Sequence, residues 1–219
     1  MTLLKASGIT KSYGNLPVLK GVNMEIHNKE VVSIVGASGA GKSTLLHILG
    51  LLDSPDGGSV SLNNTDLEVF TASEKAKFRN QQIGFVFQFH NLLPEFTALE
   101  NVCMPGYIKG DGKTEVESRG ADLLNHLGLE GRGQHKPSQL SGGEQQRVAV
   151  ARALINKPSI VFADEPSGNL DSKNAQGLHD IFFELRDRTG QTFVIVTHNT
   201  ELADMADRKL VMEDGQLLA

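Results

Sequence analysis

The sequence predicts an α/β fold: a mainly parallel sheet with helices on both faces, an antiparallel β region at its N-terminal end and an inserted helical segment. Three observations carry this. Short apolar, β-branched runs alternate with helical patterns at both ends of the chain. The middle holds three helical patterns with no strand between them. A glycine-rich stretch joins the most apolar early strand to a helix, the connection a parallel βα unit needs.

In chain order, residues 3–7 and 18–26 read as short strands linked by polar turns. Val31, Val32, Ser33, Ile34 and Val35 form a β-branched run that stops at Gly36, the mark of a buried strand. Residues 42–52 read as a helix whose leucines face a core. Strands follow at 59–62 and 83–87, with a polar helix near 73–81 between them. Helical periodicity returns at 97–104, 114–127 and 142–156, each separated by glycine or proline. Beyond Pro158 the alternation resumes with strand 160–163, helix 174–188, strand 192–197 and helix 200–205. A closing hairpin, 209–213 with 216–218, turns at Asp214-Gly215. One domain, 1–219, is expected: a core with its β region at 1–88 and 158–219, and a helical insert at 89–157.

Composition narrows the partners. With 39% apolar residues the chain can build a core. A net charge of −5, from 21 basic and 26 acidic residues, argues against nucleic acid as a partner. One cysteine, Cys103, allows no intrachain disulfide and makes a cysteine zinc site implausible, which fits a reducing cytosol. The first eight residues lack the apolar core of a secretory signal, and no apolar stretch is long enough to span a bilayer. Any work at a membrane is expected to pass through a partner protein.

Gly36-Ala37-Ser38-Gly39-Ala40-Gly41-Lys42-Ser43-Thr44 satisfies the phosphate-loop pattern, with a strand before it and a helix after it. The glycines let several N–H groups point at one anion, and the following helix adds its positive end. Lys42 can reach the β- and γ-phosphates, and Ser43 can offer its hydroxyl to Mg²⁺. A P-loop NTPase core binding ATP and Mg²⁺ is the expectation. The apolar run ending in Asp164-Glu165 supplies carboxylates at a strand's carboxyl end. Asp164 is placed for Mg²⁺, and Glu165 for orienting or deprotonating an attacking water. Such acidic strand exits are common on their own, and the upstream P-loop gives this one its weight.

Leu140-Ser141-Gly142-Gly143-Glu144-Gln145-Gln146-Arg147 begins as a capped helix, with Ser141 as N-cap and glycines allowing close backbone approach. It resembles the signature sequence of ABC ATPases, and the resemblance extends over essentially the whole chain. It implies an ABC ATPase fold and ATP hydrolysis that powers integral membrane transporter subunits. It also implies that Ser141, Gly142 and Gly143 of one copy cap the γ-phosphate held by a second copy, an ATP-bridged homodimer on the cytoplasmic face of the inner membrane. By the same resemblance Tyr13 is the adenine-stacking aromatic, Gln88 a glutamine touching Mg²⁺ or the water, and His198 the switch histidine on the γ-phosphate. Ser167-Gly168-Asn169-Leu170-Asp171 is similar to the D-loop that crosses the dimer interface. Two departures stand out: Asn199 where many relatives have aspartate, and Ser167 where threonine is common.

The stretch from Phe87-Gln88-Phe89-His90 to Leu99-Glu100-Asn101-Val102 resembles the ATPases of lipoprotein-releasing exporters. Macrolide exporters and a cell-division ATPase that regulates wall hydrolysis share parts of it and stand as alternatives. A soluble DNA-repair or chromosome ATPase would carry a long coiled coil between P-loop and signature, which this chain lacks. The resemblance implies that residues 89–102 dock the membrane subunit, with Leu92, Leu93, Pro94 and Phe96 as groove floor and Glu95 and Glu100 as rim. It gives the polar residues His90, Glu100 and Asn101 as part of the match.

Overall fold

The computed structural model describes residues 1–218. Strand β1 (Thr2–Tyr13) pairs antiparallel with β2 (Leu16–His27), and β4 (Gly57–Leu62) and β5 (Thr65–Asp66) extend the sheet in the order β2-β1-β4-β5. Both long strands outrun the expected 3–7 and 18–26. Register shifts between Ala6 and Ile9 and between Lys11 and Ser12 carry β1 past Gly8 and the polar run 10–12. Such bulges break the two-residue alternation by which a strand is recognised in sequence.

The second sheet joins β3 (Val31–Val35), β6 (Ile83–Phe87), β7 (Ile160–Asp164), β8 (Thr192–Val196), β9 (Arg208–Glu213) and β10 (Gln216–Leu217) in the order β10-β9-β3-β8-β7-β6. All its pairings are parallel except that of β10 with β9. Its central strands are apolar on both faces because both are covered. Ile34, Phe162, Val194 and Val196 pack toward α1 (Lys42–Leu49) and the antiparallel sheet. Val161, Ala163, Phe193 and Ile195 pack toward α5 (Gly142–Leu154) and α6 (Ser172–Thr189). Helix α1 stops at Leu49, short of the expected 52, because Gly50 closes it with an N–H bonded to the Leu46 carbonyl.

Between the halves lie α2 (Ala72–Gln82), α3 (Ala98–Lys109) and α4 (Lys113–His126). Val102, Cys103, Val116 and Leu124 form a core continuous with the α5–α6 side of the sheet. Helix α5 belongs to both, with Gly142 exposed at its start and Val148, Ala149, Val150 and Ala151 buried. Helix α3 runs through Pro105 rather than stopping at Met104. Proline removes one helical bond, but the Asn80 and Asn156 amides donate to the Pro105 carbonyl at 3.1 and 3.0 Å and tie the segment down. Helix α7 (Thr200–Met205) follows β8. Among the described residues no helix is long and apolar enough to cross a membrane.

Candidate functional site

Strands β3, β8, β7 and β6 run parallel in a common register, with Ile34 opposite Val196, Val196 opposite Asp164 and Asp164 opposite Phe87. Their carboxyl ends therefore form one rim, where ligands of open α/β sheets bind. The chain leaves that rim through residues 36–44, Gln88, Glu165 and His198. Gly36, Ser38, Gly39, Gly41 to Thr44, Gln88, Glu165 and His198 line a cleft of about 710 Å³ together with Tyr13, Leu16, Val18 and Val196.

The phosphate loop is fixed by close packing. A side chain at Gly36 would put its Cβ 2.1 Å from the Met212 carbonyl oxygen. Gly41 opens α1 with φ of 101°, and no side chain caps that helix. The amides of its first turn thus keep their capacity for an anion. The Lys42 ammonium donates to the carbonyls of Gly36 and Ala37 at 2.8 and 2.9 Å, so it lies along the loop. Ser38, Gly39, Ser43 and Thr44 line the cleft as expected. Ala40 does not: it is buried in the core, and its N–H and carbonyl bond Ala37 and Gly215.

Behind the loop, the Ser43 hydroxyl donates to Oδ1 of Asp164 at 3.0 Å. Burial pushes the Asp164 carboxyl above its ordinary range, with the neighbouring Glu165 charge adding to this; Ser43, His47 and Lys42 oppose it. His47 lies 3.8 Å from the other carboxylate oxygen. The donor set fits Mg²⁺, which takes hard oxygens and is held by one or two carboxylates plus phosphates and water. Among the described residues there is no larger cluster of metal-binding side chains.

Glu165 adopts the left-handed backbone conformation, φ 46°, unusual for a side-chain-bearing residue. Its N–H bonds the Val196 carbonyl, which pins this turn to the end of β8. Its Oε2 accepts the backbone N–H of His198 at 3.2 Å and faces the ring Nδ1 at 2.8 Å. The carboxylate is 19% exposed and the imidazole 70%, so Glu165 orients a ring that projects into the opening. Asn199 takes no part in holding that ring. Its side chain caps α7 by accepting from the Leu202 N–H at 2.8 Å.

Gln88 and Asn169 exchange bonds: the Gln88 amide donates to Oδ1 of Asn169 at 3.3 Å, and Asn169 donates to the Gln88 carbonyl at 3.2 Å. Tyr13, 52% exposed, is steadied by its hydroxyl bond to Asp53 at 2.7 Å. That bond raises the phenol's pKa, while burial, Asp53 and Lys11 also act on it. Sequence reasoning missed Asn169 as a partner, Asp53 and His47. Only His47 had a readable signal: it lies four residues after Ser43 and therefore on the same helix face.

The structure does not bring Ser141, Gly142 and Gly143 to this cleft. They open α5, where the Ser141 hydroxyl accepts the Glu144 N–H and the Glu144 carboxylate accepts the Ser141 N–H. Glu100 and Asn101, two of the polar residues within 89–102, bond within the chain. Glu100 closes a capping box with Thr97. Buried Asn101 accepts the Leu93 N–H and donates to the carbonyls of Leu93, Phe96 and Thr97. Arg152 donates to the carbonyls of His90 and Asn91. Leu92 packs against the helical core, while Phe89, Leu93 and Phe96 are exposed. Beside this loop, Leu52, Phe85, Phe87, Pro105 and Ile108 line a second cleft of about 480 Å³, with Arg79 and Arg152 at its polar edge.

Residues 19–168 match the family described as ABC transporter. The chain is 61% identical to the lipoprotein-releasing system ATP-binding protein LolD of Cytophaga hutchinsonii, over 99% of both chains. It is 57% identical to the protein of that name from Bacteroides thetaiotaomicron, over 98% of this chain and 99% of that one. A solved dimeric ATP-binding cassette in a post-hydrolysis state, bound to ADP and Pi, has a TM-score of 0.91 and 42% identity. That likeness covers 99% of this chain and 97% of the other.

Proposed function

The chain belongs to the ABC transporter family, and from that premise we propose that it is the ATP-hydrolysing subunit of a lipoprotein-releasing system. It works peripherally, on the cytoplasmic face of the inner membrane, and drives separate integral membrane subunits. The observation that carries this reading is the 61% identity over the whole length to a lipoprotein-releasing ATPase, with the phosphate loop, Asp164, Glu165 and His198 all present at one rim.

The amides of the 36–44 loop other than that of Ala40, together with Lys42, hold the ATP phosphates, and Tyr13 meets the adenine. Ser43, Asp164 and Gln88 would hold Mg²⁺, which would neutralise charge on the phosphates. Glu165 accepts the proton of the attacking water or aligns it, and His198, fixed through Nδ1, turns its other nitrogen toward the γ-phosphate. Two copies close around two ATP molecules, Ser141, Gly142 and Gly143 of each completing the site of the other. The dimeric, ADP- and Pi-bound relative supports this arrangement. ATP binding favours the closed pair and hydrolysis removes that bias. The apolar cleft beside residues 89–102 receives the membrane subunit, close to Gln88.

Reconstitution with the membrane subunits in lipoprotein-loaded liposomes tests this. ATP-dependent lipoprotein release is expected from the native chain and none from Glu165→Gln. Normal ATP turnover without any release on addition of a lipoprotein carrier would assign the chain to a different exporter.

A further inference from the structure

Residues 167–171 leave β7 beside the catalytic carboxylate, and one buried side chain reaches them from outside the cleft. His179 on α6 is 1% exposed, and its Nε2 lies 3.0 Å from the hydroxyl of Ser167, itself 8% exposed. Its Nδ1 is buried without a hydrogen-bond partner. Orphaned buried N–H groups are rarer than under-satisfied acceptors, so we assign the neutral tautomer with its proton on Nε2, donating to Ser167. Burial lowers its pKa and outweighs the opposing charges of Asp180 on the same helix and Glu201 on α7.

For stability alone an apolar side chain would serve this site at least as well, because replacing both members of a buried polar pair by apolar groups is often neutral. The residue that His179 contacts, Ser167, opens a tight turn. The Gly168 N–H bonds the Glu165 carbonyl at 3.0 Å, and the Leu170 N–H bonds the Ser167 carbonyl at 3.1 Å. The next residue, Asn169, exchanges bonds with Gln88. We propose that His179 is a positioning residue for ATP hydrolysis: by holding the Ser167 hydroxyl it sets the 167–171 turn, and through that turn the placement of Glu165 and Gln88. The inference rests on the reading of the cleft as an ATPase site.

The test measures steady-state ATP turnover and thermal midpoint in the full chain for His179→Leu, Ser167→Ala, the double variant and His179→Gln. Small misplacements of reacting groups cost up to about a hundredfold, and His179→Leu and Ser167→Ala are each expected to lower kcat about tenfold. KM for ATP should hold, because the phosphate loop is untouched; the midpoint should fall in His179→Leu and in Ser167→Ala, each of which leaves one partner unpaired, and recover in the double variant while turnover stays low. The double variant should be no slower than either single one, since both remove the same bond. His179→Gln, which keeps a buried N–H donor, should recover most of the rate. Multiplying losses in the double variant, a kcat loss that tracks the midpoint across the set, or glutamine as slow as leucine would each overturn the positioning role. Unchanged turnover in His179→Leu would overturn it while leaving the ATPase reading intact. Absence of turnover in the native chain would overturn both.

Discussion

Two helix N-termini in this chain carry glycine-rich loops, and they are built in opposite ways. Helix α1 begins at Gly41 in a left-handed conformation with no side-chain cap. Helix α5 begins at Ser141 with a complete capping box, the same device that opens α2 at Thr71 and α3 at Thr97. The first end leaves its amides for a ligand, while the second satisfies part of its own need and is further offset by the Glu144 carboxylate, itself 3.0 Å from Arg132. A capped end holds its shape without a ligand. In the proposed dimer that suits a surface closing over phosphates held by the other copy, whereas a bare end suits the primary binding site.

The largest effects should separate binding from hydrolysis at the bare end. Lys42→Ala should weaken nucleotide binding itself, read by titration with a fluorescent ATP analogue. Glu165→Gln should bind ATP normally and lose about 10²–10⁴-fold in turnover, the usual size of a general-base effect. Near-native turnover in Glu165→Gln would remove that residue from the chemistry.

The division of labour between the two ends can be broken by mixing. A Lys42→Ala chain and a Ser141→Arg chain should each be inactive alone. Combined, they form pairs in which one site has an intact phosphate loop facing an intact Ser141, and turnover should return. No recovery would mean that the capped end does not act across a dimer. Smaller effects sharpen the same contrast. Ser141→Ala and Thr97→Ala each remove one N-cap and should each cost about 1 kcal/mol in chemical denaturation, but only Ser141→Ala should also slow hydrolysis.

The smallest effect concerns a charge far from both ends. Asp207 accepts the Val31 N–H at 2.8 Å and pairs with Arg186. Burial opposes its ionised form, but those two partners prevail and hold its pKa below the ordinary value. A folded pKa below the unfolded one gives stability that is present above about pH 3.9 and lost as pH falls through the folded value. Asp207→Asn should flatten acid unfolding below about pH 4 while leaving turnover at neutral pH unchanged. A steeper acid transition in the variant would contradict the sign.

Much of the rim was legible because its chemistry sits at strand ends. Residues 36–44, Asp164-Glu165 and His198 each follow an apolar run, and parallel strands bring such ends together. Asn199 and Asn101 were not legible in the same way. Asn199 reads as a departure at the switch histidine, yet it is spent on capping α7. Glu100 and Asn101 read as marks of an interface, yet they cap a helix and clamp a loop, roles that depend on where the chain returns in space. Pro105 shows the same limit: the local rule ends the helix there, and two distant asparagines carry it on. His179 gave no sequence signal, because its partner Ser167 is met only through the packing of α6 under the turn.

The contact between the phosphate loop and the closing hairpin has a consequence for how the chain matures. Gly36 lies against the Met212 carbonyl, and the Gly215 N–H bonds Ala40 while its carbonyl bonds Lys20. A nascent chain emerging from the ribosome has its nucleotide loop long before it has these braces. The loop is therefore braced by residues far downstream of it in sequence, and its geometry belongs to the whole fold rather than to residues 36–44 alone.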